Sequence, residues 1–374
     1  MKKLFLFLSF FLFAFFAKSQ INNDSLEFRI RPDEFKAGRL DLSLYNFNFL
    51  RNYEFFNKFQ DGYTLYGTQL EPQLIYYPQA NLALTAGVHL RKDFGNAGIR
   101  EVLPLFSLKY QKGNTAIIAG TLEGNIHHRY IEPVFDFESK ILNPVEYGTQ
   151  VVIQNRRLFF DGFINWQKMI YKPSTEQEQI VAGISSDISL YRKNNWNLSA
   201  PIQLLVYHQG GQIDINPKPL QTIINSALGF KLSKQTSGFI RKVEAGNYIV
   251  SFQEMSPTKI LAFSKGDALY VNAGFETRYG SLIASYWKGN RFIATRGMPI
   301  YQSVSSQINN QDYSEKKRKL LILRYVYQRK LVPNLFLDFR VEPFIDLINT
   351  KSKIDFHHSL FFVYKQNIRL LKVE

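Results

Sequence analysis

Residues 70–91 read LEPQLIYYPQANLALTAGVHLR, and this stretch decides the fold class. Its second half alternates between apolar residues and small or polar ones. The apolar positions are Leu82, Leu84, Ala86, Val88 and Leu90. A period of two places them on one face of an extended chain. Tyr77-Pro78 begins a turn that joins this strand to the preceding one, so the stretch predicts a β-hairpin between two unlike environments.

The same alternation recurs along the rest of the chain. Short turns, for example at Lys112-Gly113-Asn114 and Arg192-Lys193-Asn194-Asn195, alternate with longer connections. Outer-membrane barrels show this asymmetry, with short periplasmic turns and longer external loops. We therefore predict an all-β protein, a closed antiparallel transmembrane β-barrel of about 16 strands, with about 14 left open. In the strand predicted near residues 239–252, the alternation does not show which residues face outward. In the strand over residues 116–122, the outward apolar face is predicted to consist of Ala116, Ile118, Gly120 and Leu122.

The first residues have the features of a secretory signal peptide. Lys2 and Lys3 precede an apolar run over residues 4–16, and Ala17-Lys18-Ser19 offers small residues for cleavage before Gln20. An uncleaved anchor is the alternative. We divide the chain into a signal peptide (1–19), a periplasmic N-terminal segment (20–38) and an outer-membrane barrel (39–374). The absence of cysteine excludes disulfides and a lipid anchor on cysteine.

The charge and hydropathy of the chain fit this class. The formal net charge is +15, yet no zinc-finger or RNA-binding pattern accompanies it, so nucleic acid is not predicted as a partner. Basic loops beside anionic lipid head groups explain the charge equally well. Mean hydropathy is −0.20, and aromatic residues make up 15% of the chain. Barrels place such residues in girdles at both membrane interfaces.

In the predicted strands, charged residues occupy positions on the face opposite to the apolar face. We predict that they line a water-filled lumen, because a barrel packed by side chains could not bury so many unpaired charges. The predicted lumen wall consists of Arg91, Glu276, Arg278, Arg324, Asp338, Arg340 and Glu342.

Residues 125–146 read NIHHRYIEPVFDFESKILNPVE and join the fifth and sixth predicted strands. In strand number, turn asymmetry and the position of this loop, the chain resembles the general porins of Gram-negative outer membranes. The resemblance implies that the loop folds inward and narrows the pore. Its acidic side would be Glu132, Asp136 and Glu138, facing a wall that includes Arg91, Arg278, Arg324 and Arg340. An exposed loop packed across the rim is the alternative.

The functional expectation is a porin-like channel for passive or selective passage of small hydrophilic solutes, without enzymatic activity or cofactor. A non-conducting scaffold for polysaccharide export or secretion is the first alternative, with an N-terminal segment in the lumen as its sign. A lipid hydrolase is the second, with His357 and Ser359 as an example pair. Two histidine pairs, His127-His128 and His357-His358, do not predict a metal site. Neighbours on a strand point to opposite faces, and in a loop no carboxylate spacing completes a recognised site. Expected partners are outer-membrane lipid, lipopolysaccharide and the barrel-assembly machinery, and a homo-oligomer is left open.

Overall fold

The computed structural model describes residues 23–350 and 353–372, so the predicted signal peptide lies outside the described residues. Sixteen antiparallel strands form one closed barrel. They are β1 (Arg39–Glu54), β2 (Thr64–Gln79), β3 (Leu82–Asp93), β4 (Glu101–Lys112), β5 (Thr115–Thr121), β6 (Tyr147–Gln154), β7 (Leu158–Lys168), β8 (Gln179–Lys193), β9 (Trp196–Gln209), β10 (Gln221–Gln235), β11 (Ile240–Glu254), β12 (Lys265–Thr277), β13 (Gly280–Asn290), β14 (Lys317–Val332), β15 (Leu335–Asp346) and β16 (Asp355–Lys372).

Helical structure is confined to short pieces of the connections. A single α-helix, α1 (Ser139–Leu142), and 3₁₀ turns at Glu34–Lys36, Asn125–His128 and Pro299–Tyr301 are present in the part that the structure describes. Within that part, no helix has both the length and the apolar character needed to cross a membrane.

Each strand pairs with its sequence neighbours, and β1 closes the sheet against β16. The closing ladder runs from the Arg39–Lys372 pair to the Glu54–Phe356 pair. It leaves no free edge, which is the condition for a sheet to survive in hydrocarbon. The predicted closed barrel and the predicted strand number of 16 are therefore confirmed.

The connections fall into two classes, as the sequence predicts. Those after the even-numbered strands from β2 to β14 have two to four residues, and those after the odd-numbered strands have seven to 26. In the β8–β9 turn, Asn194 and Asn195 adopt φ values of +49° and +65°. These values match a two-residue type I′ hairpin turn, which asparagine tolerates better than most residues. We call the two ends of the barrel the short-turn end and the long-loop end.

The outer face of the wall is apolar over most of its circumference. In β3, Leu82, Leu84, Ala86, Val88 and Leu90 point outward, as predicted, while Ala83 and Thr85 are buried inside. Exposed aromatic rings lie on the outer face near both ends. Near the long-loop end they are Tyr66 and Trp166, and near the short-turn end they are Tyr110, Tyr191 and Tyr279. These positions fit the interfacial girdles of a membrane barrel.

Two strands depart from the predicted pattern because the lumen is not filled with water. In β5, Ile117 is exposed outside, whereas Ala116 and Ile118 are buried inside, so the predicted phase was wrong. In β11, Tyr248, Val250 and Phe252 point inward and are buried. Inserted segments supply apolar partners inside the barrel, so an inward position need not be polar there. This explains the unclear phase of β11.

The lipid-facing position of Val88, near the middle of β3, allows a direct test of the outer face. We expect Val88→Arg to destabilise the folded barrel by about 2–4 kcal/mol, because a guanidinium at mid-bilayer loses its hydration. Urea unfolding in lipid vesicles, read by heat-modifiable gel migration, measures the effect. Asn114→Arg in the β4–β5 turn is the control and should change little. An equal loss in both variants would contradict the assignment of this face.

Candidate functional site

The segment before β1 lies inside the barrel. Leu26 is fully buried, and its carbonyl oxygen accepts a hydrogen bond of 2.9 Å from the Tyr45 hydroxyl on β1. Ser25 Oγ donates to Asp338 Oδ2 at 3.0 Å, which fixes the segment to β15. Residues 23–30 therefore have lumenal contacts, although the sequence led us to expect a periplasmic lead-in over residues 20–38.

The β5–β6 loop, residues 122–146, also folds into the barrel. Its helix α1 is held from the wall, where Gln69 Nε2 donates to the carbonyl oxygens of Lys140 at 3.2 Å and Ile141 at 3.0 Å. Arg91 Nη1 donates to the Ile141 carbonyl at 3.0 Å. The structure thus places this loop inside the barrel rather than across the rim.

The β13–β14 loop, residues 291–316, is the third inserted segment. The Asp136 amide donates to the Arg296 carbonyl at 2.7 Å, joining this loop to the β5–β6 loop. Gly297 is required at that contact, because a Cβ there would lie 1.9 Å from the Pro133 carbonyl oxygen. Trp287 and Tyr301 are fully buried behind it, with the indole nitrogen donating to the Tyr301 carbonyl at 3.0 Å.

Arg324 on β14 is the centre of a buried ion-pair network. Its Nε donates to Glu342 Oε2 and its Nη2 to Glu132 Oε2, both at 2.6 Å. The Tyr301 hydroxyl donates to the same Glu132 oxygen at 2.8 Å. The structure thus brings together Arg324 and Glu342 of the predicted lumen wall and Glu132 of the predicted constriction loop. The expectation of a wide wet lumen was wrong here, because pairing satisfies the buried charges.

The other two acidic residues of the loop have different partners. The Tyr63 hydroxyl hydrogen-bonds to the Glu138 carboxylate, 2.7 Å from Oε1 and 2.6 Å from Oε2. Asp136 Oδ1 accepts the Glu138 amide at 2.9 Å. Burial, reinforced by the charge of Glu138, raises the pKa of Asp136 to about 8, so its carboxyl group is largely protonated at neutral pH. No basic side chain among the described residues forms an ion pair with either carboxyl group within 4.0 Å.

The remaining residues of the predicted wall occupy several environments. Arg340 pairs with Asp338 on its own strand at 2.8 Å, and Arg91 pairs with Asp93 at 2.7 Å. Glu276 lines a cavity in the lumen. Arg278 does not lie on the wall, because β12 ends at Thr277 and its guanidinium stacks over the Tyr279 ring, 4.5 Å from the ring centroid.

The hydrogen bonds of the β12–β13 turn explain why Arg278 does not lie on the wall. Thr277 Oγ1 accepts the Tyr279 amide and donates to the Gly280 carbonyl, both at 3.0 Å. A threonine bonded in this way ends the strand. The sequence interpretation continued the alternation one position too far.

One group of residues contains side chains that commonly bind metal ions, but positively charged side chains already occupy it. Ligand atoms of Glu132, Glu342 and His357 lie within 4.8 Å of one another. Both carboxylates already bind Arg324, and Arg51 Nη2 lies 3.3 Å from His357 Nε2. A divalent cation would have to displace these guanidinium groups, so the residues do not fit a resident metal ion.

The neighbouring residues His127 and His128, near the start of the inserted β5–β6 loop, lie in opposite electrostatic environments. The Phe28 amide donates to His127 Nε2 at 3.1 Å, so Nδ1 carries the proton and donates to the Gly124 carbonyl at 2.8 Å. Burial, together with the charge of Arg29, lowers the pKa of His127 well below its ordinary value, which keeps this ring neutral.

His128 lies between two buried carboxylates. Its Nε2 is 3.1 Å from Glu146 and its Nδ1 is 3.2 Å from Asp161. Burial alone would lower the pKa of His128, but the two carboxylates raise it to about 9. The neutral His127 ring therefore accepts a hydrogen bond that holds the N-terminal segment. The positively charged His128 ring, in contrast, holds the loop to β7.

A polar cavity of about 480 Å³ remains between the N-terminal segment, the β5–β6 loop and the wall. Arg129, Glu132, Asp136 and Arg324 are among its lining residues. Gln235 and Lys242, which flank the β10–β11 turn, also line it, so the cavity extends toward the short-turn end. Most of the buried aromatic core lies on the long-loop side of it, around Trp287 and Phe344.

A second group of polar residues, which the sequence did not predict, lies on the outer face of the wall. Asn52, Glu54, Thr64 and His358 point outward near the long-loop end of β1, β2 and β16, and we call them the interface cluster. Thr64 Oγ1 donates to Asn52 Oδ1 at 2.5 Å, and Asn52 Nδ2 donates to Glu54 Oε1 at 2.7 Å. Asn52 faces Thr64 on one side and His358 on the other. Its sequence signal is polar residues at lipid-facing positions of β1.

The depth of the interface cluster follows from its neighbours. The next outward residues toward the short-turn end are Leu50, Tyr66 and Leu360, which are paired across the same three strands. Tyr66 belongs to the aromatic ring near the long-loop end and is 54% exposed. The cluster therefore lies just beyond the girdle, at the boundary between hydrocarbon and head groups.

A closed barrel with an apolar outer face and interfacial aromatic rings defines the class: the fold is that of an outer-membrane β-barrel protein. Residues 30–373 match the model of the Lipid A 3'-O-deacylase-type family. The chain belongs to this family. No curated protein matches it.

Solved structures with the same fold include two bacterial outer-membrane proteins. OmpT of Vibrio cholerae with loop L8 deleted has a TM-score of 0.52 at 11% identity, covering 87% of this chain and 99% of that one. OprD of Pseudomonas aeruginosa has a TM-score of 0.50 at 10% identity, covering 95% and 98%. At such identities the likeness concerns the fold alone.

The family assignment corrects one expectation from the sequence. We predicted that the protein is not an enzyme, and this was wrong, because the matching family, Lipid A 3'-O-deacylase-type, is an enzyme family. The sequence contains no G-x-S-x-G nucleophile elbow, and its Ser and His residues form no specific pattern, so no motif indicates an enzyme.

The raised pKa of His128 predicts a specific pH dependence of stability. A histidine whose pKa rises from about 6.5 when unfolded to about 9 when folded stabilises fully below pH 6.5 and loses this contribution as the pH rises through 9. The loss is about 3 kcal/mol at most. Denaturant unfolding in detergent between pH 6 and pH 10 should show it for the wild type and for His127→Asn, but not for His128→Asn. An unchanged alkaline loss in His128→Asn would contradict the assignment.

Arg324 and Arg278 were both predicted to lie on the lumen wall, but the first is buried there and the second lies in a turn. Comparing variants at the two positions tests this placement. Arg324→Gln leaves Glu132 and Glu342 without their buried partner and should cost about 3–5 kcal/mol of unfolding free energy. Arg278→Gln, in a turn, should change it by less than about 0.5 kcal/mol. Denaturant titrations of both variants under identical conditions make the comparison. Similar effects at the two positions would be inconsistent with the buried network.

Proposed function

We propose that this protein hydrolyses an acyl ester of lipid A in the outer leaflet of the outer membrane. The observation that carries the proposal is the match of residues 30–373 to the lipid A 3'-O-deacylase-type family. The fold supports it, since a barrel with an apolar outer face keeps its wall in contact with the leaflet that holds the substrate.

The location of the substrate restricts where the chemistry can occur. Lipid A keeps its acyl chains in the hydrocarbon and its sugar among the head groups, so its ester bonds lie at the boundary between the two. The network around Arg324 lies inside the lumen behind the wall. The interface cluster, in contrast, lies on the lipid-facing surface beside Tyr66, at the depth of the esters.

The interface cluster supplies groups suited to ester hydrolysis. We assign His358 as the general base that takes a proton from water as the water oxygen attacks the ester carbonyl carbon. The same proton then passes to the departing sugar oxygen, which releases a fatty acid and a free hydroxyl group. Glu54 belongs to the same cluster and is held there by the hydrogen bond from Asn52.

A porin-like channel with the 125–146 loop as its constriction is the alternative function that the sequence suggests. The inserted segments argue against an open pore, since the N-terminal segment, the β5–β6 loop and the β13–β14 loop pack against one another inside the barrel. A lumenal N-terminal segment is also the sign expected of the non-conducting scaffold. The hydrolase is preferred over both because the family assignment specifies a reaction.

The proposal predicts different outcomes for two lipid-facing histidines. His358→Asn should lower the release of fatty acid from lipid A by about 100-fold or more, because a general base contributes on that scale. His208→Asn is the matched control. His208 also faces outward near the long-loop end and hydrogen-bonds to Thr222 at 2.9 Å, but it lies on β9, outside the interface cluster. It should keep its activity.

Mass spectrometry of lipid A after incubation with the purified protein in detergent measures the reaction. Asn52→Leu serves as a second variant that loses the link to Glu54. Full activity of His358→Asn would remove the interface cluster from the mechanism. Absence of any deacylation by the wild type, together with stepwise conductance in planar bilayers, would favour the channel.

A further inference from the structure

A recess of about 700 Å³ opens at the short-turn end, between the N-terminal segment, strands β4 to β6 and the β6–β7 turn. It is distinct from the lumenal cavity and lies at the opposite end of the barrel from the interface cluster. Its lining is strongly basic. The charged residues are Arg29, Arg31, Lys109, Glu123, Arg156 and Arg157.

The one carboxylate in this lining is already shared by two of the cations. Arg29 Nη1 donates to Glu123 Oε2 at 2.7 Å, and the Lys109 ammonium group binds the other carboxylate oxygen. These three side chains are largely buried, with 7–12% of each exposed. The binding of Glu123 by two cations shows that the recess favours an oxyanion. Glu123 neutralises only part of the positive charge of the recess.

Three arginines face the same recess without a carboxylate partner. Within the described chain, no ion pair within 4.0 Å involves Arg31, Arg156 or Arg157. Like charges gathered around one concave surface repel each other unless an anion joins them. Arginine is suited to that role, since its planar guanidinium binds phosphate or carboxylate groups through two parallel hydrogen bonds.

The backbone around two of these arginines is held rigidly. Asn155 Oδ1 accepts the amides of Arg157 at 2.8 Å and Leu158 at 2.9 Å, which fixes the β6–β7 turn. The Arg157 carbonyl in turn accepts the Ser189 amide from β8 at 2.7 Å. A rigid turn reduces the entropy lost when a ligand orders the side chains that it carries.

We propose that this recess binds a small oligoanion, a molecule with several phosphate or carboxylate groups. Its volume lies within the range of about 300–1,000 Å³ typical of small-molecule sites. Arg156, Arg157 and Arg31 bind the ligand directly, while Arg29 and Lys109 remain paired with Glu123 and add a positive field. The proposal does not depend on the deacylase reaction.

The test uses the purified full-length protein in neutral detergent, titrated with inorganic tripolyphosphate in a calorimeter. A parallel titration with citrate distinguishes a phosphate ligand from a carboxylate ligand. We expect saturable binding of at least one of the two, weakened at least tenfold in Arg156→Gln/Arg157→Gln. Binding should also weaken with salt, since the screening length falls from about 10 Å at 0.1 M to about 3 Å at 1 M.

The matched control is Arg192→Gln/Lys193→Gln, which removes two positive charges from the last two residues of β8, at the same end of the barrel. It lies outside the recess and should bind the probe as the wild type does. Equal weakening in both double variants would mean that only the overall charge attracts the anion, and would overturn the proposal. So would the absence of binding to both probes. Heat-modifiable migration confirms that each variant is folded.

Discussion

The constraint on which this structure depends is that backbone polar groups inside a bilayer need partners within the protein. The ladder between β1 and β16 removes the last free edge and makes a closed wall. Closure then divides the side chains of every strand into two sets, one that faces lipid and one that faces the lumen. The outward set must be apolar wherever it contacts hydrocarbon, and this requirement produces the period of two in the sequence.

The lumen is subject to a different constraint, because its contents come from the chain itself. The N-terminal segment and the two long loops bring apolar and charged groups into the interior. Arg324 can be buried there because Glu132 and Glu342 reach it, one from a loop and one from the neighbouring strand. A buried network of this kind specifies how the segments fit together more than it adds stability.

The division into lipid-facing and lumen-facing side chains explains which parts of the fold the sequence predicted. Residues 82–90 were placed correctly because every outward position of β3 is apolar, as contact with lipid requires. The phase of β5 was wrong because Ile118 has apolar neighbours inside the barrel, and no local pattern reveals them. The link between Glu132 and Arg324 spans 192 residues of sequence, so their pairing required the structure. The interface cluster was not predicted, because Asn52 and Glu54 are polar residues at the end of β1, where the apolar alternation no longer marks the outward face.

The lumenal contacts join parts of the chain that are far apart in sequence. Ser25 and Asp338 are 313 residues apart, so this bond forms only after nearly the whole wall has been synthesised and brought together. Hairpins such as β2–β3 need no such partner and can form early. Assembly is therefore expected to proceed from an empty cylinder to a filled one, with packing of the interior as the final step of maturation.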